Sequence, residues 1–343
     1  MFPIEYNRAA AASFIRYHGG MGTRERTTRR LGYLIARMGL LSLVANDQRA
    51  VDIGDQGDPN SLSSLLTNAT GESQLCLAVT FGPTRSNQKP IIRAIRKDGT
   101  TVAYAKVGWN DLTKGLITNE VGALQNPAIK DLRQVVTPAV LHIGPWGSNL
   151  IAVFEALEGR PGRLTPPSAA FEEVGRMWPT ETTNLSNSRY ATRLREQSMA
   201  VQGSAAATTK EVIGLVLERY GDHEFEFGGG HGDWTPWNNA RRDGGKVVLW
   251  DWERAGHPGI IGFDSINYRF QPLAVKGRRS LSELLRAGTE GIEALSPPQR
   301  IALGHLYAAT IALRHLQPGS ERGLASTSLG YLEELRLLVG GAI

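Results

Sequence analysis

The octapeptide HGDWTPWN at residues 231–238, followed by VVLWDWE at residues 247–253, decides how this sequence folds. Asn238 comes five residues after Asp233, and Asp251 ends a short apolar run eighteen residues after Asp233. Gly228-Gly229-Gly230 leads into the motif but lacks the Gly-Lys-Ser/Thr ending of a phosphate-cradling P-loop. The whole segment from Gly228 to Tyr268 reads as loop, hairpin and loop.

Two carboxylates and an amide at these intervals suit a hard divalent cation. Mg²⁺ takes oxygen ligands and keeps several waters, so one aspartate and one asparagine suffice where phosphate oxygens supply the rest. Asp251 and Asn238 fit that pair. Asp233, outside the ligand set, would accept the hydrogen bond of an attacking hydroxyl and take its proton late in a phosphoryl transfer. In that reaction the protein does little besides placing groups and neutralising charge. His231 shares the catalytic loop and holds it rather than reacting, because no ordered nucleophile and second orienting group accompany it in the sequence.

Working outward, LCLAVTFGP, KPIIRAIRK and TTVAYAKVG (from Leu75, Lys89 and Thr100) read as strands, the last two joined through an Asp98-Gly99 turn. LITNEVGALQ, residues 116–125, reads as a short helix capped by Thr118, and residues 148–159 as a further strand running into the Gly/Pro-rich break EGRPGRLTPP. Beyond the break the chain turns helical over 167–178, 187–220, 297–316 and 324–339, with Ser296 capping and Pro297 and Pro298 in the first turn of the third. Before the first strand, residues 52–73 look like a linker, rich in turn formers. Residues 24–45 predict an amphipathic helix with Leu31, Leu34, Ile35, Met38, Leu41 and Ala45 on its docked face and Arg26, Arg29, Arg30 and Arg37 off it. The expected architecture is α+β, a small antiparallel-sheet lobe followed by a larger, mainly helical one. The expected divisions are an extension over 1–70, a lobe over 71–157 and a helical lobe over 158–343.

Composition narrows the class. Hydrophobic residues make up 41% of the 343 and charged ones 21%, which excludes a disordered or collagen-like chain. One cysteine, Cys76, excludes a disulfide framework and a cysteine-built zinc site and fits a reducing, cytoplasmic setting. The opening MFPIEYNRAA does not read as a secretory leader, and the apolar stretch 31–45 is interrupted by Arg37 and Ser42, short of a membrane span. The net charge of +5 comes entirely from residues 1–50, which hold eight arginines against three acidic residues. An anionic-surface contact through residues 24–45 is therefore the partner this charge suggests, with no nucleic acid expected.

HGD, four residues, Asn, and then an apolar strand ending in Asp resembles the catalytic and metal-binding motifs of the aminoglycoside phosphotransferase and choline kinase-like superfamily, small-molecule relatives of protein kinases. The resemblance, over about residues 75–275, implies a two-lobed protein-kinase-like fold, with ATP (or alternatively GTP) and Mg²⁺ as cofactors. It further implies that Lys106 pairs with nucleotide phosphates, that Glu120 holds that lysine, and that Glu155 to Leu157 form the backbone segment reading the adenine edge. Asp264 matches a position expected to brace the loop. Two departures stand out: the turn TFGPTRSNQKP has only Gly82, with no GxGxxG, and Trp252-Glu253 follows Asp251 where protein kinases carry Phe-Gly. The second favours a metabolite substrate.

The activity implied is phosphoryl transfer to a hydroxyl of a small molecule, preferably a sugar or glycan-related metabolite. A polycationic aminoglycoside would need an acidic cleft, of which the neutral body gives no sign. An aminoglycoside-type antibiotic kinase and a catalytically idle nucleotide-binding module remain as alternatives. Elsewhere Trp234 and Trp237 read as packing rather than sugar-stacking residues, and His305 and His315, ten residues apart on one helix, as structural ones.

Overall fold

A computed structural model describes residues 6–14, 23–41, 61–81, 87–159, 166–277, 279–292, 295–316 and 322–341. Residues 82–86, where the expected turn falls, most of the break at 160–165 and residues 42–60 lie outside them. Two compact units emerge: the first comprises Met1–Gln125, Val136–Arg163 and Asn239–Glu253, the second Asn126–Val135, Leu164–Asn238 and Arg254–Ile343. The first is built on an antiparallel sheet and the second is mainly helical, an α+β chain.

The sheet of the first unit has five strands, β1 (Cys76–Phe81), β2 (Pro90–Ile95), β3 (Thr101–Gly108), β4 (Val140–Trp146) and β5 (Asn149–Glu155), in the order β1-β2-β3-β5-β4. The expected hairpin joins β2 to β3. Asp98 accepts from the Thr100 N–H at 2.8 Å and Gly99 takes the left-handed φ of 97° that the turn requires. Alternation then buries Ile92 and Ala94 with Ala103, Ala105 and Val107, and β5 adds Ile151 and Val153 to the same core. β4 was not foreseen, because HIGPWG dilutes its pattern with Gly144 and Pro145.

Two expectations in this unit are corrected. The helix carrying Glu120 starts at Asp111, not near Thr118. Asn110 Oδ1 accepts from the Thr113 N–H at 2.8 Å while the Thr113 hydroxyl accepts from the Asn110 N–H at 3.1 Å, a closed capping box. Ile117, Glu120, Val121 and Leu124 share its buried face. The supposed linker at 52–73 contains a helix, Leu62–Thr70, capped by Ser61, which accepts from the Ser64 N–H at 3.1 Å, and stopped by Gly71 at φ 71°. Its serines and threonines hid the Leu62 and Leu66 pair that packs on the sheet core.

At the amino end a six-residue helix, Asn7–Ala12, buries Ala9 to Ala12. It is tied to the sheet by buried Arg93, whose guanidinium donates to the Ala12 carbonyl at 2.9 Å and to the Thr101 hydroxyl at 2.7 Å. The next helix is Thr23–Arg37, shorter than the predicted 24–45. Of the predicted docking face, Leu41 packs near the Asn7–Ala12 helix and Ala45 lies outside the described residues. Ala36 and Tyr33 pack against Ala10 and Ala11, whereas Leu31, Leu34 and Met38 are 57%, 53% and 62% exposed.

In the second unit the helix Pro297–Leu316 is buried nearly all round, through Ala302, Leu303, Leu306, Ala309, Ile311 and Leu313. Around it stand Arg189–Ala200, Ala205–Tyr220, Phe263–Ala274, Leu281–Thr289 and Arg322–Gly340. The predicted 187–220 helix is two helices, separated at Val201–Ser204 where Gly203 has φ 73°. Tyr190 pins the first of them, its hydroxyl lying 3.1 Å from the Leu306 carbonyl and 2.7 Å from the Thr310 hydroxyl. A three-stranded sheet, Glu181–Asn184, Glu224–Gly228 and Gly259–Ile260, with Glu224–Gly228 central, delivers the chain to the Gly-rich approach to His231.

Candidate active site

In the first unit, β3 points Lys106 inward while the helix Asp111–Leu124 presents Glu120 to it. Lys106 Nζ donates to Glu120 Oε1 and Oε2 at 2.7 and 2.6 Å and to Asp251 Oδ1 at 2.6 Å. Glu120 also accepts from the Trp252 N–H at 3.2 Å, so one carboxylate fixes both the lysine and the backbone just after Asp251. Asp251 itself sits at φ 69°, a left-handed conformation that aspartate tolerates better than most residues but still at a cost of order 1 kcal/mol. Its neighbours hold it there. Buried Glu253 pairs with buried Lys89 at 2.5 Å, and the Glu253 carbonyl accepts from Asn119 Nδ2 at 3.0 Å.

Electrostatics explains why these groups occur together. Burial alone would push the Lys106 ammonium down, but Asp251 and Glu120 outweigh it and hold the pKa well above the usual lysine range. Burial raises the Glu120 carboxyl towards neutrality while Lys106 draws it back. Because both its oxygens accept from the ammonium and one also from a backbone N–H, the ionised form suits the geometry. Glu120, Asp251 and Glu253 each place an oxygen within 4.8 Å of the others. Three carboxylates against two ammoniums leave one negative charge in excess, a donor set of hard oxygens that fits a divalent cation at Asp251.

Lys89 and Glu253 escaped sequence reasoning. Lys89 stands at the head of β2, 164 residues from its partner, and nothing local marks it. Glu155 lies at the end of β5, and Leu157 just beyond it. The Glu155 and Ala156 N–H groups donate to the Ala139 and Val102 carbonyls at 2.9 and 3.1 Å, extending the sheet pairing past the strand end.

In the second unit Asp264, at the start of the helix Phe263–Ala274, accepts from the His231 N–H at 2.7 Å and the Gly232 N–H at 2.9 Å. It braces the loop. His231 is fully buried and its Nδ1 accepts from the Asp233 N–H at 3.3 Å, so it shapes the turn from inside. Asn238 Nδ2 donates to the Asp233 carbonyl at 2.9 Å and to Asp233 Oδ2 at 3.3 Å. That contact joins the two residues of the motif and turns the amide oxygen, the end able to ligate a metal, the other way. Trp234 is fully buried, its ring 4.5 Å from that of Phe171, so it packs rather than stacks on a sugar.

Gly232 shows why glycine follows the histidine. It has φ 75°, and a Cβ would meet the Arg254 carbonyl oxygen at 2.4 Å, so no side chain fits. Arg314, from the helix Pro297–Leu316, donates from Nη1 to the Gly232 carbonyl at 2.9 Å and was not anticipated. His305 and His315 have partners of their own, the Tyr220 hydroxyl at 2.6 Å and the Ser328 hydroxyl at 3.0 Å, which accounts for both as structural residues.

No family model matches the chain, and no curated protein does. Solved structures do. The apo form of a thermostable mutant of aminoglycoside phosphotransferase APH(4)-Ia superposes with a TM-score of 0.55 at 13% identity, over 82% of this chain and all of that one. A ternary complex of a thermostable mutant of the same enzyme with ADP and hygromycin B gives 0.51 at 13% identity, over 82% and 99%. Choline kinase LicA from Streptococcus pneumoniae gives 0.50 at 14%, over 80% and 95%. The chain shares the fold of these phosphotransferase and choline kinase structures, a kinase-like α+β fold. Among the described residues no helix is long and apolar enough to cross a membrane.

Burial lifts the Asp264 carboxyl to about 6, the loop N–H groups and Arg314 pulling against it. The folded state therefore holds this proton at a pH where the unfolded chain, titrating near 4, has lost it. Its contribution to stability is present at low pH and declines as pH rises through the interval from about 4 to 6. Urea denaturation across that interval should show wild type losing roughly 2–3 kcal/mol relative to Asp264→Asn. Parallel stability curves would contradict the assignment.

Proposed function

We propose that this protein is an ATP- and Mg²⁺-dependent kinase that phosphorylates a hydroxyl of a small molecule, with a sugar or glycan-related metabolite as the preferred acceptor. The observation that carries the proposal is Lys106, buried and gripped by Glu120 and Asp251. A buried ammonium fixed between two carboxylates is costly as a mere structural element, since apolar packing would serve as well or better. It suits a group that must meet the negative charge of nucleotide phosphates.

The proposed roles follow residue by residue. Lys106, steadied by Glu120, holds phosphate, and the Glu155 carbonyl with the Leu157 N–H reads the nucleotide base. When bound, Mg²⁺ would neutralise charge on the phosphates, with Asp251 and Asn238 as its oxygen ligands. Asp233 accepts the hydrogen bond of the acceptor hydroxyl, aims its oxygen at the transferred phosphorus and takes its proton late in the transfer. The bond from that phosphorus to the bridging oxygen of the nucleotide breaks as the new P–O bond forms, leaving the nucleoside diphosphate. His231 and Asp264 act by fixing the loop. ATP is favoured over GTP on the resemblance alone, and a cytoplasmic setting fits the single, buried cysteine.

The helix Thr23–Arg37 supports a peripheral contact as well. Leu31, Leu34 and Met38 project outward beside exposed Arg30 and Arg37, a combination suited to an anionic lipid surface.

Two measurements test these proposals. Asp233→Asn should lower phosphoryl transfer by roughly 10²–10⁴-fold while leaving nucleotide affinity within about twofold of wild type. Transfer at the wild-type rate would refute the role. Sedimentation with vesicles holding ~30% anionic lipid should retain wild type at low salt and lose Leu31→Glu/Met38→Glu. Equal retention of both would remove the surface contact.

A further inference from the structure

Within the first unit, Lys89 belongs to the same group of charges as Lys106. Ile91 lies directly opposite Lys106 in the pairing of β2 with β3, so their side chains leave the same face of the sheet. Lys89 comes two residues before Ile91, and strand alternation returns its side chain to that face, diagonally across from Lys106. The other face is the apolar one, with Ile92, Ala94, Ala103 and Ala105. The contacts agree with the register. Lys106 Nζ donates to Asp251 Oδ1 at 2.6 Å, and Lys89 Nζ donates to Glu253 Oε2 at 2.5 Å and more distantly to the Asn87 carbonyl at 3.5 Å.

Two ammoniums of one sheet face therefore reach two carboxylates of one short segment, whose oxygens lie within 4.8 Å of each other and of a Glu120 oxygen. The Lys89 and Glu253 side chains are buried, while the Asp251 side chain is 32% exposed, so the group opens to solvent at Asp251. A buried ion pair pays desolvation on both sides, and apolar residues of similar volume would hold β2 against the DWE segment as well or better. A second ammonium beside Lys106 gains once a chain of phosphates arrives, because charge-assisted hydrogen bonds to phosphate oxygens are strong and one lysine reaches only part of such a chain. The sequence points the same way. The stretch ending at Lys89 holds only Gly82 in place of the glycine-rich motif whose backbone covers phosphates in protein kinases, and a lysine at its end supplies charge in its stead.

We infer that Lys89 is a second phosphate-binding residue of the nucleotide site, held on Glu253 in the free protein and turned to a phosphate oxygen when a nucleoside polyphosphate is bound. This rests on the kinase reading and deepens it. Glu253 keeps the ammonium charged and within reach while the site is empty, as Glu120 does for Lys106. The two lysines then meet different phosphate groups, and the site selects a polyphosphate over the bare nucleoside by charge.

The test is calorimetric titration of adenosine and of ATP, both with Mg²⁺ present, into full-length wild type, Glu253→Gln and Lys89→Met/Glu253→Gln. The two variants lose the same carboxylate and differ only at residue 89, so their comparison isolates the ammonium. Glu253→Gln releases Lys89 and should bind ATP at least as tightly as wild type. The double variant should bind ATP at least ~10-fold more weakly than Glu253→Gln, the loss of one charge-assisted hydrogen bond, with adenosine affinity within about twofold in all three proteins. Lys89→Arg/Glu253→Gln keeps the charge and should recover most of the ATP affinity. Should Glu253→Gln not fold, wild type is the reference, and the double variant should show the same ATP-specific loss against it.

Equal ATP affinities with and without the ammonium overturn the inference and leave the kinase reading standing. A loss that adenosine shares in equal measure also overturns it, since Lys89 then shapes the fold rather than meeting phosphate. A wild type that binds no ATP defeats the kinase reading itself, and the inference goes with it.

Discussion

One buried ammonium organises the first unit. Lys106 lies at 2.6–2.7 Å from three carboxylate oxygens contributed by a helix and by the segment after the hairpin at 239–249. Removing one partner of such a group strands an uncompensated charge, a penalty of about 3–5 kcal/mol, so strand, helix and DWE segment are bound to a single arrangement. Asp251 keeps its left-handed backbone because Trp252 is tied to Glu120 on one side and Glu253 to Lys89 and Asn119 on the other.

The second unit relies on the reverse polarity. There a carboxylate, Asp264, collects backbone N–H groups and thereby forces the chain through a left-handed glycine into Asp233. The loop's shape is fixed from below by Asp264, from inside by His231 and from the carbonyl side by Arg314. Asp233 needs no strain of its own, since the preceding glycine absorbs the turn.

Much of this was legible in the sequence for identifiable reasons. The strands β1 to β3 alternate clearly, and the Asp98-Gly99 turn fixes their pairing. The HGD, Asn and Asp spacing is local, so the motif could be read without coordinates. Contacts distant in the chain were not legible: Lys89 with Glu253, Arg93 with Ala12 and Arg314 with Gly232 join residues at least 81 apart. Helix Leu62–Thr70 was hidden by its polar residues, and the Asn110 cap by the assumption that Thr118 began the helix. The docked face of Thr23–Arg37 was foreseen only in part because Ala36 and Tyr33 make its contact, which helical periodicity weights too weakly.

The account is tested most directly by calorimetric titration of Mg²⁺-ATP into wild type and into the double variant Lys106→Met/Glu120→Gln. That pair of changes removes the ammonium together with one carboxylate charge and so reduces the stranded charge inside the fold. A folded variant binding nucleotide at least ~10-fold more weakly than wild type is the predicted result. Equal dissociation constants for the two proteins would show that Lys106 does not serve the nucleotide, and the kinase assignment would fail with it.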